Sequence, residues 1–139
     1  MRPLKLLSAA LVFALGSVSA QSAELAQFMN GVPGEIERYG SKLGTLDGTA
    51  TWQVDFTGDG APDRIASFGI VLGGNAVQNR VFLFENKGGS FVPMHEVKVG
   101  GGIDSIVFEG GKLMFTVRIY KDGDARCCPS GQKLVTHRP

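Results

Sequence analysis

A stretch rich in aspartate and glycine is the clearest candidate for chemistry in this sequence. It occupies residues 55–63 and reads Asp-Phe-Thr-Gly-Asp-Gly-Ala-Pro-Asp. Side-chain oxygens stand at its first, third, fifth and ninth positions, which are Asp55, Thr57, Asp59 and Asp63. Ca²⁺ takes about six to eight oxygen ligands, and glycine lets the backbone turn tightly because it adopts positive φ without steric cost. The pattern therefore predicts a calcium-binding loop.

A second interpretation of the same loop needs no ion. Asp-Gly and Gly-Asp-Gly are common turn sequences, and three solvated aspartates can occupy a hairpin loop without a metal. Thr57 is an uncharged donor, so it lowers the charge of any site. The loop is not an EF-hand, because the twelfth position, which carries a bidentate glutamate in that motif, is Ala66. Both interpretations stay open on the residues alone.

The loop and the residues after it resemble one FG-GAP repeat of the VCBS type. In that family a loop of the form D-x-(D/N/T)-G-D-G-x-x-D lies between two strands, and an apolar strand with an Asn-x-Gly-Gly-x-Phe hairpin follows. The corresponding segments here are residues 54–66 and 80–91, so the resemblance covers about residues 50–91. Such repeats usually form propellers of about four or more blades. The sequence has no second copy, so a full propeller is not expected.

The resemblance also implies a set of calcium ligands. In the family this loop binds calcium, and each matching position is carried over one by one. Side-chain oxygens would come from Asp55, Thr57, Asp59 and Asp63, and a backbone carbonyl oxygen from Ala61.

The first twenty residues have the features of a secretory signal peptide. Arg2 and Lys5 form a short basic region, residues 6–15 are apolar, and small residues lead up to Ala20. The apolar run is too short to span a bilayer, and a retained amphipathic anchor is the alternative. The sequence predicts cleavage near Ala20, a mature chain that begins at Gln21, and a periplasmic or secreted location.

The composition of the chain suits a single exported domain. The chain has 14 Lys and Arg against 13 Asp and Glu, and its basic residues do not cluster. We therefore expect neither nucleic-acid binding nor attachment to an anionic membrane surface, and no membrane span. The 20 glycines indicate many turns between short strands.

Residues 21–48 are expected to hold the only helical segment, followed by a connector. Ser22 can cap a helix over residues 23–30 that Gly31 closes. Pro33 can begin a second short helical turn. A helix here would pack one apolar face on the rest of the domain.

From residue 49 onward the apolar residues alternate or form short runs, as in strands. The predicted strands are residues 50–55, 65–72, 80–86, 91–99, 103–108, 113–120 and 133–137. Glycine-containing turns between them indicate antiparallel neighbours. The expected fold is mainly β, an antiparallel meander that forms a small sandwich or a twisted sheet, with residues 21–48 and 49–139 in one globular domain.

Cys127 and Cys128 are the only cysteines, and they are adjacent. Thiols tend to pair in an oxidising compartment. A vicinal disulfide, free or intermolecularly bridged thiols, and a two-thiolate site for a soft metal such as Cu(I) all remain open. No spacing relates His95 or His137 to this pair.

The segment around the cysteines, residues 124–130, reads Asp-Ala-Arg-Cys-Cys-Pro-Ser. It resembles a segment of small exported bacterial proteins that include the LppP/LprE-type lipoproteins. The resemblance implies a rigid structural or contact loop, which Pro129 would stiffen. Those lipoproteins carry an anchoring cysteine that this chain lacks.

No residue pattern predicts catalysis. A cysteine nucleophile needs a base within reach, and nothing local places a histidine near Cys127. Ser130 belongs to no nucleophile elbow. Asp122 and Asp124 can form an acid–base pair, add oxygens to the Asp55 loop, or simply mark a charged hairpin tip.

Two functions follow from these patterns. The first is a non-enzymatic binding or structural module that is stabilised by Ca²⁺ and contacts an unknown protein or cell-surface partner. The alternative is a thiol redox or soft-metal handling protein that uses Cys127 and Cys128.

Overall fold

The computed structural model of the chain describes residues 23–139. The predicted signal peptide of residues 1–20 and the predicted mature start at Gln21 lie outside the described residues. Between residues 23 and 139 the chain forms one helix, α1 (Gly34–Ser41), and eight strands. The strands are β1 (Gln27–Phe28), β2 (Leu46–Val54), β3 (Asp63–Gly73), β4 (Ala76–Lys87), β5 (Ser90–Val97), β6 (Ile103–Glu109), β7 (Lys112–Ile119) and β8 (Gly131–His137).

The strands form two antiparallel sheets. β1 to β5 make a five-stranded sheet in sequence order, and β6 to β8 make a three-stranded sheet in sequence order. Hydrogen-bonded neighbours are therefore consecutive in the chain, which is a meander. The seven predicted strands correspond to β2 through β8, so the mainly β fold class is confirmed. The described strands form two open sheets and not the blades of a propeller.

The two sheets pack face to face as a sandwich. On β7, Leu113, Phe115 and Val117 are buried, whereas Met114 and Thr116 between them are only half-buried, because successive strand residues point to opposite faces. The five-stranded sheet contributes Ala50, Trp52, Ile65, Val81, Leu83 and Val97 to the same buried cluster. Each large apolar side chain buried in this way contributes about 1.5–3 kcal/mol.

The helix covers the outer face of the five-stranded sheet. Pro33 precedes α1 with φ −54°, close to the helical value, and its carbonyl accepts the N–H of Ile36 at 3.0 Å. The Ile36 side chain is buried in a cluster with Phe68. Gly40 allows this close approach, since a Cβ there would lie 2.5 Å from the Phe68 ring. The molecule thus has a helix, a five-stranded sheet and a three-stranded sheet in successive layers.

The residues before the helix are extended, so the predicted helix over residues 23–30 is wrong. β1 pairs with β2, and the N–H of Leu25 donates to the carbonyl of Ile106 on β6 at 2.8 Å. These bonds satisfy backbone groups that a helix would have used within itself. Tertiary pairing outweighs the weak helical propensity of the segment. The predicted short turn after Pro33 is confirmed as α1.

The helix α1 has eight residues. No helix in the described part of the chain has the length and apolar character needed to cross a bilayer.

Candidate functional site

Asp55 organises the first half of the loop between β2 and β3. Its Oδ1 accepts the N–H of Gly58 at 2.8 Å and of Asp59 at 3.2 Å, and its Oδ2 accepts the N–H of Gly60 at 2.8 Å. Gly58 and Gly60 have φ of 77° and 90°, which turns these amides toward the carboxylate. The Gly60 bond, with those from Gly58 and Asp59, lowers the pKa of Asp55 below its ordinary value.

Asp63 closes the second half of the loop from the inside. It is the first residue of β3 and is fully buried. Its Oδ2 accepts the N–H of Thr57 at 3.0 Å and the Thr57 hydroxyl at 2.9 Å, and its Oδ1 accepts the N–H of Asn86 on β4 at 2.8 Å. A buried carboxylate is stable only with such donors. Asp63 therefore joins the loop to the neighbouring strand.

The Thr57 hydroxyl brings two of the three aspartates together. Its Oγ1 lies 2.9 Å from Oδ2 of Asp63 and 3.4 Å from Oδ1 of Asp55. Asp59 is exposed, and its Oδ1 accepts the N–H of Ala61 at 2.9 Å. Among the predicted calcium ligands, Asp55, Thr57 and Asp63 share one neighbourhood, and Asp59 and Ala61 form a local turn beside it.

The donor set of this loop fits a calcium ion in part. Asp55 and Asp63 each place a carboxylate oxygen within hydrogen-bonding distance of the Thr57 hydroxyl, and oxygen is the ligand that Ca²⁺ prefers. Both carboxylates already accept backbone N–H bonds, and Asp59 would have to release the Ala61 N–H to join them. Within residues 23–139, no group of three or more His, Cys, Asp or Glu side chains is placed to hold a metal ion. A calcium ion would therefore rely on two carboxylates and on neutral oxygens.

Asp124 organises the loop between β7 and β8. Its Oδ2 accepts the N–H of Lys121 at 2.7 Å and of Ser130 at 2.8 Å, and the Ser130 hydroxyl donates to its Oδ1 at 2.9 Å. The bonds from Lys121 and then Ser130 lower the pKa of Asp124. A single carboxylate thus joins the beginning and the end of this loop.

Cys127 and Cys128 form a disulfide within this loop, and both residues are exposed. The Cys128 N–H donates to the Ala125 carbonyl at 2.9 Å, and the Tyr120 hydroxyl donates to the Arg126 carbonyl at 2.5 Å. Of the three arrangements left open by the sequence, the structure has the vicinal disulfide.

The two loops lie at opposite ends of the sandwich. Asp63 begins β3, whereas Leu72, near the other end of that strand, lines the same cleft as Cys127. A strand of this length spans about 30 Å. The structure therefore does not bring Asp122 or Asp124 to the loop of Asp55, and that alternative is wrong.

A cleft of about 660 Å³ opens beside the disulfide. Its charged lining residues are Arg80, Glu96, Lys98, Arg118 and Arg126, and its apolar or aromatic ones include Leu72, Val77 and Tyr120. Four cationic side chains against one anionic side chain give the lining a positive balance. The volume lies within the range of small-ligand sites, about 300–1,000 Å³.

An ion pair fixes one wall of this cleft. Arg80 donates through Nε and Nη2 to the two carboxylate oxygens of Glu96, at 2.8 and 2.9 Å. Lys98 lies 3.0 Å from the same carboxylate. Hydrogen bonds from Arg80 and then Lys98 lower the pKa of Glu96 to about 2. Glu96 is therefore ionised at neutral pH and is already paired.

Two histidines, which the sequence leaves unrelated, meet across the sandwich. Nε2 of His95 and Nε2 of His137 lie 3.1 Å apart. Burial and then the neighbouring His95 lower the pKa of His137. Neither this pair nor the cleft has a local sequence signal, because the residues of each come from strands far apart in the chain.

No known protein-family model, curated protein or solved structure matches the chain.

Proposed function

We propose that this chain is a small exported binding module without catalytic activity, located in the periplasm or secreted. Its binding surface is the cleft beside Cys127, and the bound group belongs to an anionic partner with a short apolar part. The rest of the sandwich holds the two walls of the cleft in place.

The positive balance of the cleft lining carries this proposal. Glu96 is engaged by Arg80 and Lys98, and Arg118 pairs with Asp104 at 2.7 Å while remaining half exposed. Leu72, Val77 and Tyr120 offer apolar surface beside these cations. Concave sites with apolar surface and a few convergent polar groups are typical of ligand binding.

An anionic aromatic probe tests the charge preference of the cleft. Titration with 8-anilinonaphthalene-1-sulfonate should show saturable fluorescence, and Arg118→Gln should weaken binding roughly fivefold by removing one cation. Lys42→Gln makes the same charge change at the exposed end of α1 and should bind as the wild type does. Equal affinities for all three proteins would reject the cleft as the site.

We further propose that Ca²⁺ stabilises the loop of residues 55–63, with Asp55, Thr57 and Asp63 as its main ligands. The closeness of the Thr57 hydroxyl to an oxygen of each carboxylate supports this assignment. A bound ion would offset the repulsion between the two negative groups. In this proposal the ion acts on the stability of the loop.

A calcium-dependent melt tests this assignment. Millimolar Ca²⁺ should raise the melting temperature by about 5 °C relative to chelator, because an ion that binds only the folded state stabilises it. Asp55→Ala should lose the calcium response, because it removes one of the two carboxylate ligands and leaves the buried Asp63 bonds intact. Asp59→Ala should keep the response, since Asp59 lies in a local turn beside the site. An unchanged wild-type melt would exclude calcium and leave the cleft proposal standing.

The second candidate function is thiol redox or soft-metal handling. It is favoured by the exposure of both Cys127 and Cys128 and by the position of Cys127 on the cleft. Mild dithiothreitol on the native protein should then release two titratable thiols per chain, and an oxidant should restore the bond. A disulfide that resists reduction until the protein unfolds would reject this function.

A further inference from the structure

His95 and His137 meet at one open side of the sandwich. His95 lies on β5 opposite Leu83, and His137 lies on β8 opposite Leu113. Both leucines are buried between the two sheets. Residues directly opposite each other on antiparallel strands share a face, so both imidazoles lie at the margin of the inter-sheet layer. Because β5 and β8 are edge strands of different sheets, the pair bridges the sheets.

The two ring nitrogens are placed as ligands of one centre. The Nε2 atoms are 3.1 Å apart, and the ring planes are inclined by 69° with centroids 5.1 Å apart. At this distance one nitrogen donates a proton and the other accepts it. An ion bound about 2.0–2.1 Å from each of two nitrogens also holds them roughly 3 Å apart. A metal ion can therefore replace the shared proton with little change in the distance between the two nitrogens, once each ring turns its lone pair toward the ion.

We propose that His95 and His137 form a binding site for a divalent late first-row transition metal ion, with Cu²⁺ bound most tightly. Imidazole nitrogen is a preferred ligand of these ions, and affinity for nitrogen sites rises along the series to Cu²⁺. Ca²⁺ prefers oxygen ligands, so this site is chemically separate from the loop of residues 55–63.

Two protein ligands make an open site. In the part of the chain that the structure describes, no third His, Cys, Asp or Glu joins the pair as a metal-holding group, so water completes the coordination. His95 is exposed, which lets the ion enter from solvent. Binding is weaker than at a closed site of four protein ligands. An ion held here links β5 to β8 and stabilises the sandwich, because it binds only the folded arrangement.

Copper titration of the mature chain, purified without an affinity tag, tests the site. Calorimetry should show one Cu²⁺ per chain, and electron paramagnetic resonance should show coupling to imidazole nitrogens. His95→Gln and His137→Gln should each weaken binding at least about tenfold. Lys133→Gln, an exposed change on the same strand β8, should bind Cu²⁺ as the wild type does.

Equal copper binding by the wild type and both histidine variants would place the ion elsewhere and overturn the proposal. If circular dichroism shows that a variant is unfolded, the NMR signals of the two imidazole rings in the wild type decide the question. Substoichiometric Cu²⁺ should broaden the Cε1–H resonances of both His95 and His137 before it broadens the other proton resonances of the protein. Unaffected histidine resonances at one equivalent would reject the site.

Discussion

The loop between β2 and β3 and the loop between β7 and β8 are each folded around an aspartate that accepts backbone N–H bonds. Asp55 gathers the amides of three residues, and Asp124 gathers those of Lys121 and Ser130. The first loop adds Asp63, a fully buried carboxylate that reaches the neighbouring strand β4. The second adds only local closures, among them a disulfide between adjacent residues.

This difference indicates that the loop between β2 and β3 contributes to the stability of the whole domain. The loop between β7 and β8 instead depends on a sandwich that is stable without it. A buried hydrogen-bonded carboxylate is costly to remove, because its donors are left without partners. A disulfide stabilises mainly by restricting the unfolded chain, and that restriction grows with the length of the closed loop. A disulfide between adjacent cysteines encloses no other residue, so it restricts the unfolded chain very little. We therefore expect changes in the first loop to lower the free energy of unfolding, and changes in the second loop to alter mainly the surface of the cleft.

Asp63→Ala is expected to have the largest effect. The change leaves the Asn86 N–H and the Thr57 N–H without their acceptor, so the free energy of unfolding should fall by about 3 kcal/mol. Urea denaturation followed by circular dichroism measures this loss. Asp59→Ala removes an exposed carboxylate with one local bond and serves as the matched control. Similar losses in both variants would show that burial of Asp63 does not anchor the loop.

Asp55→Ala should rank second. It removes the acceptor of three backbone N–H groups, but those groups can bond to water because the loop is exposed. Its melting temperature should lie between those of Asp59→Ala and Asp63→Ala, measured in the presence of chelator so that no ion contributes. A melting temperature below that of Asp63→Ala would reverse the roles of the two aspartates.

Asp124→Asn should reveal the pH dependence of the second loop. The folded-state pKa of Asp124 is lowered, so its ionised form contributes stability in full above the unfolded pKa of about 3.9. That contribution is lost as the pH falls through the folded-state pKa. The wild type should therefore have the higher melting temperature at pH 7, and the difference between the two should narrow as the pH falls below about 3.9. A gap of constant size across this range would contradict the assignment.

Reduction of the disulfide should have the smallest effect on stability. Treatment with a phosphine reductant should lower the melting temperature by less than about 2 °C, because bridging adjacent residues barely restricts the unfolded chain. The Cys127→Ser/Cys128→Ser double variant provides the same comparison without reductant. A loss as large as that of Asp63→Ala would show that the disulfide, and not the buried carboxylate, anchors the fold.

Most of the sheet could be predicted from the sequence, because period-two burial and glycine turns are local signals. Strand β7, with Leu113, Phe115 and Val117 buried alternately, is an example. The segment around Leu25 could not be predicted, since its extended form depends on pairing with β2 and on Ile106 of β6. Local helical propensity is too weak to resist such pairing.

The candidate sites also combine features that the sequence predicts with features that depend on the folded arrangement. Asp55 and Asp63 are recognisable from spacing, but burial of Asp63 depends on the placement of Asn86 from another strand. The adjacency of the cysteines is visible in the sequence, whereas the cleft beside them needs side chains from several strands. The contact between His95 and His137 arises only when the two sheets stack, so no local pattern contains it.

The extended segment at Leu25 has a consequence for the order of folding. Leu25 lies early in the chain, and the acceptor of its N–H, the carbonyl of Ile106, lies late. During synthesis from the N-terminus, β1 can pair with β2 early, but the N–H of Leu25 cannot reach its acceptor until β6 has been made. Contacts between residues so far apart in the chain slow folding, so the segment at Leu25 docks onto the three-stranded sheet after most of the five-stranded sheet has formed.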